Sequence, residues 1–431
     1  MTLKRIFLIP ALAAAAAVAS CGDSGRDITV FDAAVAVEFP AGLDGASVGD
    51  AAVTFTNISS GVVSDFPVDA SGCVAPRLIP GVYDLEVSGT AVLESGVRCA
   101  LRGVVRGVSI TGPGQSVTVP AFVIVETDDL IISELYFAGS LQPSGDQYYG
   151  DQYFKLYNNT DHVIYADGLS VVESQFLTTQ KFVYTPDIMD EAMSVDAIYT
   201  IPGSGTDYPV EPGCEIIIAD MAIDHRAINP NSIDMSHADF EWYDESSDPK
   251  YTDIDNPAVP NLDKWYSYTR TIWLLHNRGF KAYALARIPV GRDEYLASYR
   301  YTVEYVQVTA AGSFPMSRTC YRLPNAWITD VVTCSVPSDY KWNVTAPVLD
   351  TGWTGCGAVD GDKNRYFRAV RRAVASDEGG RIVLRKTNNS GSDFNGDVRP
   401  SEVERQRAAV DRSGTPCATL TVDGVKPVSE L

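Results

Sequence analysis

From residue 29 to about residue 125 the chain reads as strand, turn, strand. Residues 29–39 and 51–57 alternate apolar with polar side chains, with Gly-rich turns between them, and residues 115–125 alternate again. Period-two alternation puts every second side chain on one face, so such segments bury their apolar side only by pairing into a sheet that packs on a second layer. Asp69-Ala70-Ser71-Gly72 is a turn sequence, and Gly81 after Pro80 suits a tight turn leading into a strand that carries Val82, Tyr83, Leu85 and Val87.

Glu126-Thr127-Asp128-Asp129 breaks this pattern and marks the expected domain boundary. Beyond it, residues 130–136 form an apolar strand, Tyr153-Phe154-Lys155-Leu156-Tyr157 a second, and residues 163–165 and 167–171 continue after the turn Thr160-Asp161-His162. The spacing predicts an all-β chain, with a small sandwich over 29–126 and a larger β domain over 127–431. A long insertion, about 220–265, is set into the larger domain.

The pairing of Asp69-x-x-Gly72 with Pro80-Gly81-x-Tyr83 resembles the small β-sandwich of transthyretin and the carboxypeptidase regulatory domain, which implies a non-catalytic spacer or docking module. The order of 130–136, 153–159 and 167–171 is similar to the lamin-tail type of β-sandwich, and the resemblance implies that Tyr366-Phe367-Arg368-Ala369-Val370-Arg371-Arg372 and the stretch 387–394 form the closing part of such a domain.

The N-terminus adds an address. Lys4 and Arg5 precede an alanine-rich apolar run, too short to span a bilayer, that ends in Val18-Ala19-Ser20-Cys21. A small-residue site closed by Cys resembles the lipobox of bacterial lipoproteins. It implies that residues 1–20 are a signal peptide, that Cys21 carries a diacylglyceryl group, and that residues 21–28 are a polar tether.

Composition narrows the functions. A hydrophobic content of 45% suits packed cores and excludes a disordered stalk. The net charge is −21, and loss of Lys4 and Arg5 with the leader takes it to −23. Such a field repels phosphate backbones, so nucleic acid is not an expected partner, and membrane contact should run through the N-terminal lipid. No apolar run after Cys21 is long enough for a transmembrane helix.

Eight cysteines less Cys21 leave an odd seven, none in a C-x-x-C pair. Cys73 with Cys99 is the expected disulfide, with Cys320 and Cys334 a weaker second pair.

Together the lipobox, the small sandwich and the second β region resemble domain-of-unknown-function family 4876 of Bacteroidota lipoproteins. The resemblance implies a lipid-anchored envelope protein at the outer membrane and brings no catalytic residues. A non-catalytic binding or accessory module for nutrient uptake, beside an outer-membrane receptor or another envelope protein, is the expected role. A carboxylate-dependent hydrolase of glycans or peptides, or a structural component of a surface assembly, are the alternatives. No G-x-S-x-G elbow, H-E-x-x-H pair or phosphate-binding glycine loop occurs, so neither an enzyme nor a cofactor is expected.

The insertion holds the candidate sites. Seven acids fall within 239–255 against Lys250 alone, interleaved with aromatics. Trp242, Tyr243, Tyr251 and Trp265 are the candidates for a binding surface, by ring stacking beside carboxylates. His225, His237, Asp253 and Asp255 are the candidates for a metal site. The cluster Lys363, Arg365, Arg368, Arg371 and Arg372 is expected to pair with this acidic loop, with the clamping of an acidic partner as the alternative.

Overall fold

The computed structural model describes residues 30–38, 47–69, 71–92, 98–125 and 128–406. The leader, Cys21, the tether, the Glu126-Thr127 junction and Cys417 lie outside the described residues.

The first body is a two-layer sandwich. A five-stranded antiparallel sheet runs in the order Phe122–Val125, Arg98–Ile110, Gly81–Val92, Ser47–Asn57, Val63–Pro67. The facing sheet is Cys73–Val74, Ala34–Glu38, Ser116–Pro120, its last pair parallel. Val53, Phe55, Leu85, Val87 and Leu101 meet Val35, Val37, Val74 and Val119 in one core, which is the apolar half of each alternating segment. The stretch 115–125 is two strands, because the chain crosses from one sheet to the other at buried Ala121.

Both turn motifs have visible causes. Asp69 Oδ1 accepts from the amides of Ser71 (2.8 Å) and Cys73 (3.0 Å), and Gly72 takes a φ of +80°. Tyr83 donates its hydroxyl to Ile79 O at 2.8 Å and packs edge-on to Phe55. Gly81 opens the strand instead of making a turn; it is glycine because a Cβ there would lie 2.6 Å from Asn57 Nδ2.

The expected Cys73–Cys99 disulfide does not form. Cys73 is a free, half-buried thiol paired with Ala36 in the smaller sheet, whereas Cys99 sits in the core on the other layer, 1% exposed. Cys320 and Cys334 are also free thiols.

The second body is a larger sandwich. One sheet runs Phe240–Glu241, Glu215–Ala219, Tyr153–Tyr157, Ile131–Tyr136, Ala369–Arg372, Phe394–Val398. The other runs Arg300–Thr309, Gly312–Pro324, Ala192–Thr200, Leu169–Ser174, Ala282–Arg287, Ile328–Thr333, with Asp263–Ser267 also paired to Ala192–Thr200. Phe154, Leu156, Ile216, Ile218 and Val370 from the first meet Val171, Tyr199, Tyr283, Leu285 and Val332 from the second. The architecture is all-β.

Ala369–Arg372 returns beside Ile131–Tyr136, so residues more than 230 apart in sequence share a sheet. Residues 220–262 fold over one end of that sheet as part of the body. They supply the parallel strand Phe240–Glu241 and carry Ile233 and Met235 onto the outer face of Tyr136 and Tyr153. No helix among the described residues is long and apolar enough to cross a membrane.

Candidate functional site

The aromatic candidates of the insertion do not form a surface. Trp242 is wholly buried (0% exposed), 5.7 Å from Phe154 and 5.4 Å from Trp273 between ring centroids. Its indole Nε1 donates to Trp273 O at 3.2 Å. Trp265 is half-buried on the opposite outer face of the sandwich, tilted against Tyr295. Tyr251 is exposed beneath Lys250, and Tyr243 is half-buried. Large aromatic surfaces are drawn into the core even beside acids, so composition misplaced them.

The four metal candidates do not converge either. His225 is fully buried with both nitrogens engaged, Nδ1 with Tyr148 Oη (2.7 Å) and Nε2 with Met221 O (2.9 Å). Burial pushes its imidazole down to about 4, so it is neutral. His237 pairs with Glu402 (3.0 Å), and exposed Asp255 accepts from Asn261 (2.8 Å).

Asp253 alone of the four lies among other carboxylates. Its Oδ2 accepts from Asp244 N at 3.0 Å. Asp244 in turn accepts from Tyr199 Oη and Trp273 N, both at 2.7 Å, and pairs with Lys264 Nζ at 2.7 Å. Asp151 accepts from Ser140 and Ser232, both at 2.5 Å, through Oδ2. Asp220 completes the group at the end of its strand, with its amide on Gln152 O at 2.9 Å. Burial pushes Asp151 up to about 6 and Asp253 up to about 7.

The open site is elsewhere, on the outer face of the first sheet. In Tyr153–Tyr157 the alternation sends Phe154 and Leu156 into the core and Lys155 and Tyr157 outward. Lys155 faces Glu134 on one neighbouring strand, while Tyr157 faces Glu215 on the other. The hairpin Val374–Glu378/Arg381–Leu384 and the short helix Ser401–Gln406 wall this face, enclosing a groove of about 640 Å³. Tyr157, Ile382 and Leu384 are its apolar lining; Glu215, Arg381 and Arg405 are among its charges.

The floor is held rigidly. Lys155 Nζ, 1% exposed, pairs with Glu402 (2.8 Å) and Glu215 (3.4 Å). Burial alone would lower the Lys155 ammonium, but Glu215, Glu134 and Glu402 together hold it above its ordinary value. Tyr153 Oη and Ser401 N donate to Glu134 at 2.6 and 2.8 Å, and Arg371 meets Glu404 at 2.8 Å. Charges at this depth persist only where each is answered within hydrogen-bonding reach.

Arg365, Arg371 and Arg372 of the basic cluster therefore do not pair with the 239–255 loop. Arg371 takes Glu404, Arg372 takes Asp330 (2.6 Å) and Asp393 (3.4 Å), and Arg365 stacks on Tyr366. Sequence reading missed the groove, although one signal was present: a lysine at the outward position of an otherwise aromatic and aliphatic strand.

The model of the family described as "Protein of unknown function (DUF4876)" matches residues 211–401. That span holds Cys214, Glu215, Asp220, Asp253, Arg371 and Arg381. The crystal structure of a DUF4876 family protein from Bacteroides thetaiotaomicron superposes with a TM-score of 0.54 at 22% identity, covering 90% of this chain and all of that one. The likeness is one of fold. No curated protein matches the chain. The resemblance to family 4876 seen in the sequence is thus borne out.

Proposed function

We propose that the chain is a lipid-anchored accessory protein of the outer membrane that captures a partner, and that the groove beside Lys155 is its binding face. One observation carries the reading: a cavity of about 640 Å³ with both signs of charge at its rim and a buried, ion-paired floor. Preformed clefts with a few fixed polar groups over an apolar lining are what ligand sites require. The mixed rim suits a partner segment that brings both an acidic and a basic group, such as a peptide loop of an outer-membrane receptor. Anchoring through Cys21 raises the local concentration of such a weak binder at its partner.

The test places a photo-crosslinking side chain at Cys214, an exposed residue lining the groove, in intact cells. One stoichiometric protein adduct is expected, lost on the charge reversals Arg381→Glu and Glu215→Arg and lost from the membrane fraction with Cys21→Ser. Adducts that survive both reversals would remove the groove, and membrane association that survives Cys21→Ser would remove the anchor.

A further inference from the structure

We propose that the carboxylates buried where the insertion meets the end of the first sheet hold a divalent cation of the calcium class, with Asp220 as the principal ligand and Asp253 as the second. This assignment is independent of the groove. Asp220 is 0% exposed, Asp151 and Asp244 are 1% exposed, and Asp253 is 7% exposed. Neither oxygen of Asp220 has a well-formed hydrogen bond, the neighbouring Trp242 indole acting on it only weakly while it donates to Trp273 O, and Oδ1 of Asp151 has none. A buried carboxylate without a donor is among the least tolerable groups a protein interior can hold, so both need an explanation.

The surroundings leave few choices. The charges acting most strongly on Asp220 are Asp253, then Asp244 and Asp151, all of its own sign. Lys264 is the cation paired within this group, and its ammonium is directed at Asp244 Oδ1. The nearby indole of Trp242 gives its hydrogen to Trp273 O. A proton on Asp220 would turn one oxygen into a donor that a neighbouring aspartate could accept, and would leave its other oxygen bare. A doubly charged ion offsets the repulsion of the whole group at once.

The donor set is oxygen only. Both His225 nitrogens are occupied, and no thiol belongs to the group, which disfavours zinc and suits a hard ion. Among the described residues no three carboxylate, imidazole or thiol groups form a ready cage. The two aspartates would therefore supply only part of the shell, the rest falling to main-chain oxygens and water, as calcium's flexible coordination permits. Bound there, the ion ties the insertion to the Gln152 end of the central strand.

Terbium luminescence tests this directly, because Trp242 donates its amide to Ala219 O at 3.1 Å, next to Asp220. The full mature chain, stripped with chelator, should show terbium emission on indole excitation, quenched by added calcium chloride. Calcium should also raise the Tm by several degrees. Asp220→Asn, which keeps shape, should weaken terbium binding about ten-fold or more, and Asp253→Asn should weaken it to a lesser degree. Near-ultraviolet circular dichroism confirms that each variant is folded. Absence of both sensitised emission and a calcium-dependent Tm in the wild-type chain overturns the assignment. So does terbium affinity unchanged in both variants.

Discussion

Replacing Lys155 with Met removes the cation from the groove floor while keeping most of the side-chain volume. Breaking one member of a buried ion pair costs ~3–5 kcal/mol, because the remaining charge is stranded. Glu402, 0% exposed, would keep only His237 (3.0 Å) and Arg405 (3.5 Å), whose side chains are 41% and 46% exposed. That partial company puts the loss at the low end, ~3 kcal/mol. Undocking of the helix Ser401–Gln406 sets a ceiling of similar size. It would expose Val403, about 2 kcal/mol of burial, and release the Arg371–Glu404 pair.

Urea unfolding at pH 7 measures the loss, and hydrogen exchange at the 401–406 amides reports the undocking. Lys155 holds Glu402 below its ordinary 4.5 against the opposing effect of burial, so the pair contributes stability above that pH and loses it on acidification. The penalty of Lys155→Met should therefore shrink below about pH 4. Adding Glu402→Gln to Lys155→Met should recover part of the loss. A penalty under ~1 kcal/mol, typical of a solvated pair, with no recovery in the double variant, would refute the claim that this floor is rigid.

Tyr83→Phe leaves Ile79 O without its donor in the first sandwich and should cost ~1 kcal/mol by urea unfolding; no change would mean the hydroxyl is solvated. Arg372→Met strands Asp330, 2% exposed, with Lys386 at 3.0 Å as its remaining ion pair, and should cost ~3 kcal/mol or prevent folding. In chelated protein, Asp253 keeps its proton in the folded chain up to about 7 but sheds it near 3.8 when unfolded. Its contribution is complete below that lower value and is lost as pH rises through about 7. The fall in stability between about pH 4 and 7 should accordingly be smaller in Asp253→Asn than in wild type, and equal slopes would show that the carboxyl is already ionised.

The strands were legible because their signal is local. Tyr153–Tyr157 and Ile131–Tyr136 announce themselves within a few residues, and the Asp69 and Tyr83 motifs are each closed by hydrogen bonds spanning four residues or fewer. The groove was not legible, because its walls come from Tyr157, Glu215, Arg381 and Glu404, and no periodicity links them. The insertion was misread for a different reason. Acids interleaved with aromatics suggest a wet surface, yet Trp242 and Trp273 pack against Phe154 and pull Asp244 and Asp253 inside with them. Glycine was misread at Gly81 because a turn and a close approach select the same residue.

Two ends of one sheet bury charge on opposite terms. Around Lys155, Arg371 and Arg372, carboxylates stand 2.6–2.8 Å away, so the chain supplies every counter-charge and the network fixes one arrangement of hairpin and helix. Around Asp220 the neighbours are three more aspartates, and the lysine present is held by one of them. Desolvation is as severe at both ends, so burial cannot be what distinguishes them. The source of neutrality does: a network that closes on itself is scaffold, whereas one left open by a whole carboxylate must take either a proton or a cation from solution, and terbium binding tells the two apart.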